Sequence, residues 1–152
     1  MDQAIIFTDG GCSGNPGPGG WAFVIRLRAN DAADHEILGS GGEANTTNNR
    51  MELRAVIEAL SELERRSPGA QLVVRTDSQY VKNGIGAWIA NWKRNGWRTA
   101  DRRPVKNKEL WEELDALVAR VRPSFEWVKG HAGIEGNERC DAMVQTEIAK
   151  FR

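Results

Sequence analysis

Four acidic residues stand where apolar runs end or helices begin: Asp9, Glu52, Asp77 and Asp141. Asp9 closes the run Ala4-Ile5-Ile6-Phe7-Thr8 and is followed at once by Gly10-Gly11. Asp77 closes a second run, Leu72-Val73-Val74-Arg75-Thr76. Glu52 falls in the first turn of a strongly periodic helical segment. Asp141 falls early in the last one, after a glycine-rich loop that holds His131. Carboxylates at strand ends and helix starts offer the oxygen donors that a hard divalent cation needs. Mg²⁺ usually keeps several waters and binds through a few carboxylates together with substrate phosphate. Two such ions, about 3.5–4 Å apart, can clamp the attacking and leaving oxygens of a phosphoryl displacement. Each acid taken singly has a plainer reading. Asp9 and Asp77 would pass as solvated turn residues, Glu52 and Asp141 as early-helix acids favoured by the helix dipole, and His131 as an ordinary loop histidine. The joint pattern is what points to chemistry.

The elements that would carry these acids can be read from periodicity. Residues 4–9, Trp21–Leu27 and about 35–42 are strand-like, with turn formers at 10–20 and 29–34 between them. Three strands in succession without helical spacing form an antiparallel meander. The period then changes: Leu53, Val56, Ile57, Leu60 and Leu63 recur at helical spacing, Thr46, Thr47 and Asn48 offer N-caps, and Pro68-Gly69 ends the helix. The run 71–76 has little polar alternation, as in a strand buried on both faces. Two short helical pieces follow near 78–83 and 86–94, separated by Gly84. Leu110, Trp111, Leu114, Leu117, Val118 and Val121 mark another helix, Phe125–Val128 a last strand, and about 138–150 a final helix. The expected fold is α/β: a mixed five-stranded sheet, three antiparallel strands then parallel ones, with helices on both faces. The first strand and the strand at 71–76 would lie side by side, so Asp9 and Asp77 would emerge at one edge, where ligands of open α/β sheets collect.

A chain of 152 residues with 40% hydrophobic and 28% charged residues is sized and composed as one soluble domain. No apolar stretch approaches a membrane helix and no signal peptide is apparent. Cys12 and Cys140 are therefore expected to stay reduced, in a cytoplasmic setting. The formal net charge of zero conceals an asymmetry. Between Trp92 and Lys108 seven basic residues face one acid, a net of +6 that leaves −6 for the remainder. An acidic body with one basic projection suits a polyanionic partner held to one side.

Five segments then match a known family in order and spacing. They are Phe7-Thr8-Asp9-Gly10; Gly14-Asn15-Pro16-Gly17-Pro18-Gly19-Gly20-Trp21; Thr46-Thr47-Asn48-Asn49-Arg50-Met51-Glu52-Leu53; Thr76-Asp77-Ser78-Gln79-Tyr80-Val81; and Val128-Lys129-Gly130-His131-Ala132-Gly133 with Asn137-Glu138-Arg139-Cys140-Asp141. Together they resemble bacterial type 1 ribonuclease H over about residues 3–149. The resemblance implies a single catalytic domain over 1–152 with a basic protrusion at about 88–108. It implies an endonuclease that hydrolyses the RNA strand of RNA–DNA hybrids with little sequence specificity, leaving 5′-phosphate and 3′-hydroxyl ends. Two Mg²⁺ ions, for which Mn²⁺ can substitute, would be held by Asp9, Glu52, Asp77 and Asp141, with His131 aiding proton transfer and product release.

The same resemblance distributes the substrate contacts. The RNA strand falls to Cys12, Asn15, Asn48 and Gln79, with Glu52; Asn and Gln suit this because each can both donate to and accept from a 2′-hydroxyl. The DNA strand falls to Thr47, Asn49, Arg50, Trp88 and Asn91 through its phosphates, which position a duplex without reading its sequence. Lys93, Arg94, Arg98, Arg102, Arg103 and Lys106 form the basic protrusion. A monomer with no membrane attachment is expected, its partner being the hybrid duplex. Most of the six tryptophans, and Cys140, are expected in the core. The loop 10–20 carries no GxxxxGK[ST] and is expected to be a turn between strands. Two other functions compete: a hybrid-binding module without catalysis, opposed by the complete carboxylate set, and a DNA-cleaving relative, opposed by the amide-rich TTNNRMEL and TDSQYV segments. Gly11, Gly86 and the stretch Ala142-Met143-Val144-Gln145 depart from the family's usual pattern, which bears on local packing rather than on the acids.

Overall fold

The computed structural model describes residues 3–28, 34–67, 69–99, 101–128 and 135–151. A five-stranded sheet runs in the order β3-β2-β1-β4-β5, with β1 at Gln3–Cys12, β2 at Gly17–Arg28, β3 at His35–Thr46, β4 at Gln71–Thr76 and β5 at Ser124–Trp127. β1, β2 and β3 pair antiparallel, while β4 joins β1 and β5 joins β4 in parallel. The expected mixed sheet is therefore present, strand for strand.

Between the strands lie α1 (Asn48–Arg66), α2 (Gln79–Asn83), α3 (Ile89–Arg94), α4 (Lys108–Val121) and α5 (Glu135–Ala149). α1 starts where Thr47, in extended conformation, accepts a hydrogen bond from the Arg50 amide at 3.2 Å, satisfying one of the unpaired amides of a helix start. α1 and α4 cover one face. There Leu53, Ile57, Leu60, Leu114 and Trp111, all essentially inaccessible, pack against Ile6 and Ile25. On the other face α5 sets Cys140, Val144 and Ile148 against Phe7, Ala22 and Val24. Truncating one of the large side chains in the first core, Leu60→Ala for example, would cost about 2–5 kcal/mol.

Three expectations are corrected. β4 was expected to be buried on both faces, yet its residues alternate: Leu72, Val74 and Thr76 are buried while Val73 and Arg75 are half-buried. The reason is that α5 packs on β1, β2 and β3, leaving the β4–β5 end of that face without a covering helix among the described residues. The glycine-rich stretch 10–20 is not all turn. β1 continues to Cys12 and β2 begins at Gly17, because glycine is needed there for close packing: a β-carbon on Gly20 would stand 2.9 Å from the Glu147 β-carbon. Gly84 does not separate two helical pieces. A π-helical segment, Gly84–Trp88, joins α2 to α3, and the Trp111 indole occupies the space of a side chain at Gly84, 2.0 Å from an ideal β-carbon.

The tryptophans follow the core reading. Trp111 is fully buried, and Trp88 and Trp92 are half-buried within 6.5 and 5.5 Å of its ring. Among the described residues no helix is long and apolar enough to cross a membrane. Cys12 and Cys140 are not joined in a disulfide, and Cys140 is buried as expected. Burial pushes the Cys140 thiol up to about 12, with the Asp9 charge adding to the effect.

Candidate active site

The parallel register of β1 and β4 pairs Phe7 with Arg75. Asp9 and Asp77 lie two residues further along, so Asp9, still within β1, and Asp77, the residue after β4, reach the same end of the sheet. α1 brings Glu52 to that end because its backbone at Met51 and Glu52 presses directly on β1; the helix starts at Asn48, so Glu52 lies just past the first turn in which it was expected. A β-carbon on Gly10 would stand 2.4 Å from the Glu52 amide nitrogen and 2.4 Å from the Met51 carbonyl carbon. Only glycine permits the two backbones to approach so closely. α5 brings Asp141 from the opposite side, fixed by the neighbouring Cys140, whose thiol donates to the Phe7 carbonyl at 3.3 Å. At Gly11 a β-carbon would stand 3.3 Å from the Val144 Cγ1 of α5, a tight contact that a small shift of the valine side chain would relieve.

The result is a polar cleft of about 330 Å³ lined by Asp9, Glu52, Asp77 and Asp141 together with Cys12 and Asn48. Glu52 is held at both of its carboxylate oxygens. Its Oε1 accepts from Asn48 Nδ2 at 3.0 Å and its Oε2 from the Ser78 hydroxyl. Burial raises its carboxyl above the ordinary value and the Asp77 charge adds to that, while the bonds from Ser78 and Asn48 pull the other way. Crowded carboxylates of this kind are costly without a cation between them. The donor set fits a hard cation: four carboxylates, no thiolate or imidazole ligand required, in an open and polar cleft. Among the described residues no three acids, histidines or cysteines are already gathered as a closed ligand group.

Beside the cleft runs a groove of about 750 Å³ whose walls include Asn15, Thr47, Asn49, Trp88, Arg103 and Lys106. It joins residues expected on both strands of a hybrid to two from the basic protrusion. Asn48 links groove and cleft, its amide donating to Asn15 Oδ1 at 3.1 Å. Other expected contacts are engaged within the protein. Arg50 pairs with Glu43 at 2.8 Å and Glu109 at 3.3 Å, Lys93 with Asp115 at 2.9 Å, and Asn91 with Arg94. Arg98 and Arg102 are exposed around a separate hollow near the protrusion's tip. Gln79 is exposed at the start of α2, and the Cys12 thiol sits among the carbonyls of Gly14, Gly17 and Thr46. His131 lies outside the described residues.

Residues that sequence reasoning passed over also shape these surfaces. Tyr80 and Asn107 line the groove. The Tyr80 oxygen accepts from Asn107 Nδ2 at 3.2 Å and from Trp111 Nε1 at 3.0 Å, tying the groove wall to the core. The left-handed backbone at Asn107, φ 59°, turns the chain into α4. Asparagine is a common non-glycine residue in that conformation, the one sequence signal that marks the position.

The chain resembles known proteins along nearly its whole length. The family model described as RNase H matches residues 1–149. A protein of Paracoccus denitrificans named Ribonuclease H is 54% identical over 152 residues, covering 100% of this chain and 96% of its own length. Ribonuclease HI of Neisseria meningitidis serogroup B is 54% identical, with 99% of each chain covered. Among solved structures, LC9-RNase H1, described as a type 1 RNase H with the type 2 active-site motif, superposes with a TM-score of 0.88 at 29% identity, covering 100% of this chain and 74% of that one. LC11-RNase H1 in complex with RNA/DNA hybrid gives a TM-score of 0.69 at 28% identity, covering 97% and 98%.

Proposed function

The chain belongs to the RNase H family, and on that premise we propose that the cleft between Asp9, Glu52, Asp77 and Asp141 is where it hydrolyses the RNA strand of RNA–DNA hybrids. The chain is an endonuclease acting on RNA in hybrids. The observation that carries the assignment of the site is the convergence of four carboxylates, from β1, α1, the residue after β4 and α5, on one polar cleft.

Hydrolysis breaks the bond between phosphorus and the 3′ oxygen as a water oxygen attacks from the opposite side, leaving 5′-phosphate and 3′-hydroxyl ends. Two Mg²⁺ ions, or Mn²⁺ in their place, would be held by Asp9, Glu52, Asp77 and Asp141 and, when bound, would acidify water and neutralise charge on the leaving oxygen. The protein's own part is to keep four mutually repelling carboxylates at fixed positions. Gly10 allows α1 onto β1, Asn48 and Ser78 fix both oxygens of Glu52, and Cys140 anchors the turn that carries Asp141. His131 is assigned proton transfer and release of the cleaved end.

Selection of a hybrid needs a reader of the 2′-hydroxyl on one strand and phosphate contacts on the other. Cys12, Asn15, Asn48 and Gln79 are assigned to the RNA. Thr47, Asn49, Arg50, Trp88 and Asn91 are assigned to the DNA, with the protrusion beyond them. Arg50, already paired to Glu43 and Glu109, would exchange part of that pairing for phosphate. Phosphate contacts carry no base information, so little sequence preference follows. The enzyme would act as a monomer in the cytoplasm.

The test is cleavage of matched hybrid, duplex DNA and duplex RNA substrates, with end-group mapping of the products. RNA cut only in the hybrid, at many sequences and with 3′-hydroxyl ends, supports the reading. Cleavage of duplex DNA, or at one strict sequence, contradicts it.

A further inference from the structure

Resting on the reading of the carboxylate cleft as the hydrolytic site, we infer that Ser78 is a positioning residue that sets the Glu52 carboxylate against Asp77. Ser78 follows Asp77 directly at the end of β4 and is only 5% exposed. Its polar groups are all engaged. The amide donates to Thr76 Oγ1 at 3.2 Å, the hydroxyl oxygen accepts from the Val81 amide at 3.1 Å, and the hydroxyl proton goes to Glu52 Oε2. A serine hydroxyl has a single proton to give, and here it is spent on a residue 26 positions away in sequence, on another element.

A helix cap alone does not require this. Capping α2 uses only the acceptor side of the hydroxyl and leaves its donor side unassigned. Instead the proton reaches one oxygen of Glu52 while Asn48 holds the other at 3.0 Å. The carboxylate is thereby gripped from α1 on one side and from the β4–α2 junction on the other, so its rotation about the terminal bond is blocked. Because Ser78 is the covalent neighbour of Asp77, the same hydrogen bond fixes the spacing of two acids that would otherwise push apart. Partners that orient ligating carboxylates typically change metal affinity or activity by about 10–100-fold when removed.

The experiment compares Ser78→Ala, Ser78→Gly and Ser78→Thr by hybrid kinetics, by calorimetric titration of Mg²⁺ into the substrate-free protein, and by thermal melting in chelator. Alanine removes both the cap and the positioning bond; glycine removes the bond but is well tolerated as a cap; threonine keeps a hydroxyl. The inference expects alanine and glycine to lower kcat and weaken Mg²⁺ binding by about tenfold or more, with KM for hybrid changed by no more than about twofold, and threonine to recover most of both. It is overturned if the glycine protein binds Mg²⁺ and turns over like wild type, or if losses simply follow melting temperature across the three. Should the alanine protein fail to fold, the glycine–threonine pair decides. Glu52→Gln separates the two levels. A Glu52→Gln protein as active as wild type would remove the cleft reading itself, whereas an inactive one beside normal Ser78 variants would remove only the role of Ser78.

Discussion

Gly10 and Glu52 meet with no room for a side chain between them: a β-carbon on Gly10 would lie 2.4 Å from the Glu52 amide nitrogen. The contact ties the strand that carries Asp9 to the helix that carries Glu52, so one glycine sets the relation between two of the four acids. Gly10→Ala must therefore displace α1 from β1. Overpacking of this kind costs about 1–3 kcal/mol, and with backbone on the receiving side the upper end is expected. Thermal melting should fall accordingly, and cleavage should fall by more than the loss of folded protein explains. An alanine variant with wild-type rate would show that the Asp9–Glu52 relation tolerates adjustment.

Charge repulsion in the cleft leads to a second expectation. Asp9→Asn removes one carboxylate from a cleft in which burial first, and the Asp77 charge in addition, already raises Glu52. Cleavage should be abolished, while melting in chelator should stay equal to or rise above that of wild type. A clear drop in melting temperature would identify Asp9 as a structural residue.

Glu147 offers a pH-dependent counterpart outside the cleft. It is 9% exposed, accepts from Lys150 Nζ at 2.9 Å and from Ser40 at 2.9 Å, and these bonds, Lys150 foremost, hold its carboxyl below the ordinary 4.5 against the opposing effect of burial. A depressed folded value stabilises the protein above the unfolded value near 4.5, and that contribution is lost as pH falls through the folded value. Glu147→Gln should thus lower stability by about 1 kcal/mol at neutral pH. The difference should close as pH falls through the depressed folded value, as read from denaturant midpoints across the acid range. A gap that persists at low pH would mean that packing, not charge, is what Glu147 supplies.

The basic protrusion should announce itself through salt. Arg103 and Lys106 line the groove, whereas Lys93 is paired with Asp115 at 2.9 Å. Each phosphate contact removed should lower the log–log salt slope of hybrid binding by about one. Arg103→Ala with Lys106→Ala should therefore lower it by about two, and Lys93→Ala by clearly less than one. Equal effects from all three would mean that Lys93 leaves Asp115 for the substrate.

Much of this arrangement was legible in the chain itself, and the reasons are local. Asp9 and Asp77 close apolar runs, so strand pairing alone brings them to one edge, and Thr47 carries the signature of an N-cap. What escaped reading depends on contacts distant in sequence. Ser78 reads as a plain helix cap until Glu52 is placed beside its hydroxyl. The glycines at 10, 20 and 84 read as breaks, yet each marks a surface on which another element sits. β4 reads as doubly buried because residue type does not reveal that α5 stops short of it. The engagement of Lys93 by Asp115 and of Arg50 by Glu43 and Glu109 was equally out of reach, since an exposed cation declares its charge but not its nearest acid.

The most direct test of the central claim is cleavage of a hybrid labelled separately on its RNA and DNA strands, in Mg²⁺ and in chelator, by wild type and Asp77→Asn. Cutting confined to the RNA, dependent on Mg²⁺ and lost in Asp77→Asn while hybrid binding persists, is the predicted result. RNA cleavage that survives in Asp77→Asn or in chelator would contradict the assignment of the reaction to the four-carboxylate cleft.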